Sequence, residues 1–260
     1  MKKILTIIAI SSLFFASCSK DEVVQTVESN GKTSISFDAT VNGADLALNK
    51  DFTIGANTYN FSKFRYWVSN LVLVNSKGEE YKVPSSYYLI EETGAVAVQD
   101  GAFTYPATKR EDVVLADIPA GDYTSIKFSV GVDEKYNSNM SLQAGELSQL
   151  NGMTNISWMW MTSYIFTSVT GTVKDATSTK TLKVETGLNA NYKTVSLTLP
   201  STLKIGSSKT GAIVLNVDVA KVFDGVDVIA NPTVGASQAT VMAAVAANYQ
   251  GKVFTVKSVK

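Results

Sequence analysis

Two tryptophans and two methionines alternate at Trp158, Met159, Trp160 and Met161, inside the stretch Gly152–Phe166, GMTNISWMWMTSYIF. That stretch holds two of the three tryptophans and three of the six methionines of a 260-residue chain. Thioether sulfur is a soft ligand that suits Cu(I), and an indole face beside a cation adds cation–π attraction. Met159 and Met161 are therefore candidate metal ligands, with Met153 as a third and Trp158 or Trp160 as the neighbouring ring. Taken as one strand, Ile156, Trp158, Trp160, Thr162, Tyr164 and Phe166 share a face, and Ser157, Met159, Met161, Ser163 and Ile165 share the other. A sheet in a two-layer sandwich has one core face, so either the Trp pair or the Met pair is expected to project outward. The alternative is packing throughout, with the aromatics in the core and the methionines under a loop or helix.

Histidine is absent from the chain. This removes the commonest general base and the commonest zinc or copper ligand, and with them the usual Ser-His-Asp and Cys-His arrangements. No nucleophile–base pair and no glycine-rich phosphate loop is legible, so we do not expect an enzyme; Asp133, Glu134 and Glu185, the candidate acids, read as surface charges. Net charge is zero and no basic run occurs, so the electrostatic footprint of a nucleic-acid binder is missing.

The remaining elements must deliver and position that stretch. Residues 1–17 combine Lys2-Lys3, an apolar run from Ile4 to Phe15 and small residues before Cys18, the pattern of a secretory signal too short to span a bilayer. Ala16-Ser17-Cys18 resembles a bacterial lipobox, which makes Cys18 the expected lipidated N-terminus and the lipid the expected contact with the membrane; an ordinary signal peptide is the alternative. Cys18 is the only cysteine, so the mature body has neither disulfides nor a Cys-based metal site. Residues 18–32 read as a flexible tether. Within them Lys20-Asp21-Glu22 resembles a short acidic export signal or is a solvated spacer. An outer-membrane lipoprotein facing the periplasm or the cell surface is expected.

Residues 33–260 read as one β-domain. Alternation marks strands at Ile35–Val41, Phe64–Val74 with a β-bulge near Ser69-Asn70, Tyr87–Ile90, Val113–Ile118, Ile126–Val132, Leu182–Val184, Val195–Leu199, Ile213–Val219 and Val253–Val259. A polar loop, Asp133–Asn139, offers oxygen ligands suited to calcium or is simply solvated. Ser237 is the expected cap of a helix that buries Val241, Met242, Val245 and Tyr249 and stops at Gly251. The expected class is all-β: a two-sheet antiparallel β-sandwich with one short C-terminal helix.

Several stretches in order resemble the copper-binding MbnP-like family: Phe64–Leu73, Ser129–Asp133, Gly152–Phe166, Val214–Phe223 and the helix ending Ala247-Asn248-Tyr249. The most specific are Gly152-Met153, the Trp158-x-Trp160 pair and Tyr164-x-Phe166. The resemblance implies a β-sandwich and, for the founding branch, copper bound with help from a tryptophan that a partner di-haem peroxidase oxidises. Where many relatives carry a His two residues before a Gly, this chain has Glu185 before Gly187, and Ser163 stands where a glycine usually precedes the Tyr. The family's imidazole site therefore cannot carry over intact, and Glu185 becomes a further candidate ligand. The competing expectation is a metal-free module whose aromatic surface, including Trp158, Trp160 and Tyr164, binds a glycan or an outer-membrane protein.

Overall fold

The computed structural model describes residues 28–155 and 163–260. In chain order its principal strands are β1 (Gly31–Val41), β2 (Asn57–Asn75), β3 (Tyr87–Thr93), β4 (Val96–Val98), β5 (Phe103–Tyr105), β6 (Thr108–Arg110), β7 (Asp112–Ile118), β8 (Gly121–Val130), β9 (Thr154–Asn155), β10 (Ser163–Lys174), β11 (Thr179–Gly187), β12 (Lys193–Ile205), β13 (Gly211–Asp218) and β14 (Phe254–Val259). Among the described residues the two α-helices are α1 (Glu134–Asn137) and α2 (Ala239–Gly251). The smaller sheet has the order β7-β1-β13-β14 and the larger follows β12-β8-β2-β10-β11. Their inner faces meet as alternating apolar side chains require. At the centre Phe37, Tyr66, Phe128 and Phe254 form a ring of edge-on contacts with centroids 5.1–6.3 Å apart, the geometry that aromatic quadrupoles favour.

The sandwich is all-β as expected, but not wholly antiparallel. Strand β1 pairs with β13 in parallel over Thr33–Thr40 and Gly211–Asp218, because the first and the penultimate strand run side by side from the same end. The expected bulge is present: Lys127 pairs with Val72 and Ser129 with Ser69, so β2 carries one extra residue. Asn70 takes it up at φ 50°, a left-handed conformation that Asn tolerates better than branched residues. The helix buries Met242, Val245 and Tyr249. Ser237 does not cap it; a 3-10 turn, Ala236–Gln238, leads in, and the Gln238 side chain accepts from the Gly235 amide at 3.0 Å.

The 19-residue β2 organises the larger sheet. Val68 and Ser69 pair with both β8 and β3, while Arg65 and Tyr66 pair with both β10 and β3. Since β3 occupies one side over Lys63–Ser69, β8 and β10 succeed each other along the opposite side, and Trp67 marks the changeover. There the Gly131 amide donates to the Trp67 carbonyl at 3.0 Å, and Gly131 sits at φ 111° with Phe166 where a Cβ would stand.

The assumption of a single core face fails here. The outer face of the larger sheet carries a second buried cluster, made by Trp67, Tyr87, Leu89, Val132, Met140, Leu147, Met153, Tyr164 and Phe166. After β8 the chain folds back over that face, contributing Val132, Met140, Leu147 and Met153 to the cluster.

Candidate functional site

Strands β9 and β10 pair antiparallel, Thr154 with Tyr164 and Asn155 with Ser163. The stretch expected to form one strand is thus two paired strands with residues 156–162 between them. Trp158, Met159, Trp160 and Met161 lie outside the described residues, so their expected division between two faces does too. Over the described part, Tyr164 and Phe166 are buried in one cluster and Ile165, half-buried, packs against it.

Both arms of this hairpin are tied down. The Ile165 amide donates to the Met153 carbonyl at 2.9 Å, and the Met153 amide donates to Asn151 Oδ1 at 3.0 Å. Asn137, at the end of α1, accepts from the Tyr164 amide through Oδ1 at 2.9 Å and donates from Nδ2 to Asn189 Oδ1 at 2.7 Å. Met153, a candidate ligand, is 1% exposed and packs with the second cluster. Its thioether therefore belongs to the interior.

Tyr164 is also 1% exposed and meets Trp67 edge-on, centroids 5.9 Å apart at 83°. Burial pushes its phenol above the ordinary tyrosine range. Three polar atoms here are buried without a hydrogen-bond partner: Ser163 Oγ, the Tyr164 hydroxyl and Trp67 Nε1. Native proteins rarely leave such groups unpaired, and each costs about 1–3 kcal/mol.

Glu185, on the neighbouring β11, lines one small cleft with Asn155, Tyr164 and Met242. Its carboxylate accepts from Ser168 Oγ at 3.3 Å and faces Lys183 Nζ at 3.3 Å. The structure thus brings Glu185 and Tyr164 to one place beside the paired ends of the hairpin.

Glu185 also ends a row that sequence reasoning missed. Arg110 pairs with Glu91, Glu91 with Arg65, Arg65 with Ser168 and Ser168 with Glu185, straight across β6, β3, β2, β10 and β11. Opposite charges placed across neighbouring strands attract. At its centre Arg65, fully buried, donates from Nε to Glu91 Oε2 at 2.7 Å. The Tyr105 hydroxyl donates to the other Glu91 oxygen at 2.5 Å, and the guanidinium lies 4.8 Å from the centre of the Tyr105 ring. The signal available in the sequence was one charge, Arg65, inside the apolar run FRYWV.

The other candidate acids are occupied or solvent-facing. Asp133 Oδ2 accepts from the Tyr87 hydroxyl and, at 3.0 Å, from Asn70 Nδ2, while Glu134 is exposed in the first turn of α1. Asp38, Asp45 and Glu111 form an acidic group already met by Lys257 on Asp38 at 2.5 Å and by the Ala39 amide on Glu111 at 3.1 Å.

The family model for MbnP matches residues 30–243. No curated protein matches significantly. Among solved structures, MbnP from Methylosinus trichosporium aligns at 19% identity over 74% of this chain and 77% of that one, with a TM-score of 0.48. With the model covering most of its length, the chain belongs to the MbnP family.

Proposed function

We propose that this protein is a membrane-tethered, non-enzymatic binding module that holds Cu(I) at the hairpin of β9 and β10. The observation that carries the proposal is the meeting of Glu185 and Tyr164 in one cleft beside the paired ends of the hairpin, where the oxygens of Ser163 and Tyr164 are buried without a partner and a bound cation would offset that cost. The chemistry of the guest follows from the donor set. With no histidine in the chain, an imidazole site does not fit. The thioethers of Met159 and Met161, two residues apart, suit a soft monovalent ion. Glu185, held only at 3.3 Å by each of its two partners, supplies an anionic oxygen from the adjacent strand. Met153 is left out of the ligand set because its side chain is committed to the interior.

The lipid on Cys18 and the tether to residue 32 would hold the module at the outer membrane. A di-haem peroxidase partner, if one acts here, would find its tryptophan in Trp158 or Trp160. Competition for Cu(I) against a calibrated chelator, without oxygen, tests the site. Wild type should compete, and Met159→Leu/Met161→Leu, nearly constant in volume, should lose at least about tenfold in affinity. Equal affinity in both proteins would remove copper from the hairpin.

A further inference from the structure

A second site, separate from the hairpin, lies where β3, β5 and β6 meet the chain before β9. Its cleft of about 380 Å³ is lined by Glu91, Phe103, Tyr105, Arg110, Glu146 and Leu150 among others, a volume at the lower end of small-ligand pockets. Three large hydrophobic side chains are exposed among the described residues, and two of them, Phe103 at 40% and Leu150 at 43%, line this cleft. A single exposed apolar residue means little, whereas two around one concavity mark a surface kept open for contact.

The charges in the cleft are already balanced. Glu91, in the floor, is satisfied by Arg65 and by the Tyr105 hydroxyl. Arg110 and Glu146 bond to each other at the rim and together close the free edge of β3: Arg110 Nη1 donates to the Leu89 carbonyl at 3.3 Å, and the Leu89 amide donates to Glu146 Oε2 at 3.0 Å. These bonds lock both side chains in place, as a preformed polar site requires. A charged ligand would have to break one of the pairs. A neutral one need not.

We propose that this cleft binds a neutral carbohydrate, one or two pyranose rings of a glycan chain, with a sugar face on Phe103 and Leu150. The sugar hydroxyls meet the outward-facing atoms of Arg110 and Glu146 and the hydroxyl of Ser148, whose oxygen accepts from the Leu150 amide at 3.1 Å. A sugar ring joins a flat apolar face to a rim of hydroxyls that both donate and accept, and the cleft presents the complement: an aromatic face beside paired donors and acceptors of no net charge.

The test uses the full mature protein on an array of neutral hexose and N-acetylhexosamine oligosaccharides, with uronic-acid oligosaccharides alongside. Retention of at least one neutral oligosaccharide is expected, with a loss of at least about tenfold for Phe103→Ala and for Leu150→Ala. Both side chains are exposed, so both variants should melt as wild type does. Binding should be unchanged by a copper chelator and in Met159→Leu/Met161→Leu, which keeps this test independent of the copper proposal. No retained neutral oligosaccharide, retention of the uronic-acid compounds only, or binding that neither substitution weakens would overturn the proposal.

Discussion

Glu91 bears the largest local burden on the outer face, because its carboxylate neutralises an arginine that has no exposed surface. Glu91→Ala should therefore cost about 3–5 kcal/mol, the usual result of leaving a buried charge unpaired. Removing both charges together, as in Arg65→Met/Glu91→Leu, should restore most of that loss. Urea unfolding of the single and double variants checks this; an Ala variant within about 1 kcal/mol of wild type would mean that the pair contributes little. Half of the pair was visible beforehand. Arg65 stands out in an apolar strand, but Glu91 lies 26 positions away and Tyr105 another 14, and strand register, not local pattern, joins them.

At the scale of elements, the hairpin depends on Asn137, whose side chain links α1 to the first residues of β10 and to Asn189. Asn137→Ala leaves the buried Tyr164 amide unpaired and should cost about 1–3 kcal/mol. If the hairpin holds copper, the same variant should also weaken Cu(I) binding while its far-ultraviolet spectrum stays unchanged. A variant with native stability would show that the tie is dispensable. The bulge at Asn70 was legible, because the apolar phase slips there and Asn accepts the conformation it needs. The hairpin was not: residues 156–162, ISWMWMT, contain no Gly, Pro, Asn or Asp, so nothing marked a reversal. The strict two-residue alternation fits a single strand equally well. The second cluster was hidden for a related reason. Which loops fold back over a sheet depends on where β8 ends and β10 begins along β2, and periodicity within a strand carries no trace of that.

At the scale of the whole molecule, strands from both ends of the chain complete the smaller sheet, with β1 between β7 and β13, and β14 on the far side of β13. Ending the chain at Gly251 exposes that core, including Leu215 and Val217, and should abolish the cooperative melting transition; a soluble truncated protein with an unchanged transition would refute one-domain folding. Alkali should act on the whole body as well. Burial raises the phenols of Tyr59, Tyr66, Tyr164 and Tyr249 above their ordinary value, so the native state holds those protons more tightly than the unfolded chain. Their contribution is complete below about pH 10 and is lost as pH rises beyond it. The melting temperature should hold steady from pH 7 to about 9 and fall above about 10, with phenolate absorbance rising together with unfolding; phenolate titration in a still-folded protein would contradict this. The ends of the sandwich also differ. Glu28, three residues before β1, is held by Ser208 and Lys209 in the turn between β12 and β13. The same end carries Gly121 paired with Ile205, and β8 runs from there to Val130, from which the chain continues to Asn137 and the hairpin. Ten residues of strand place the hairpin end roughly 30 Å from Glu28. The most direct measurement of the proposed chemistry is X-ray absorption at the copper edge on the Cu(I)-loaded mature protein. Two sulfur neighbours and one oxygen at a Cu(I) centre are predicted, the sulfur shell vanishing in Met159→Leu/Met161→Leu; a shell of nitrogen and oxygen only, or no copper retained on loading, would contradict it.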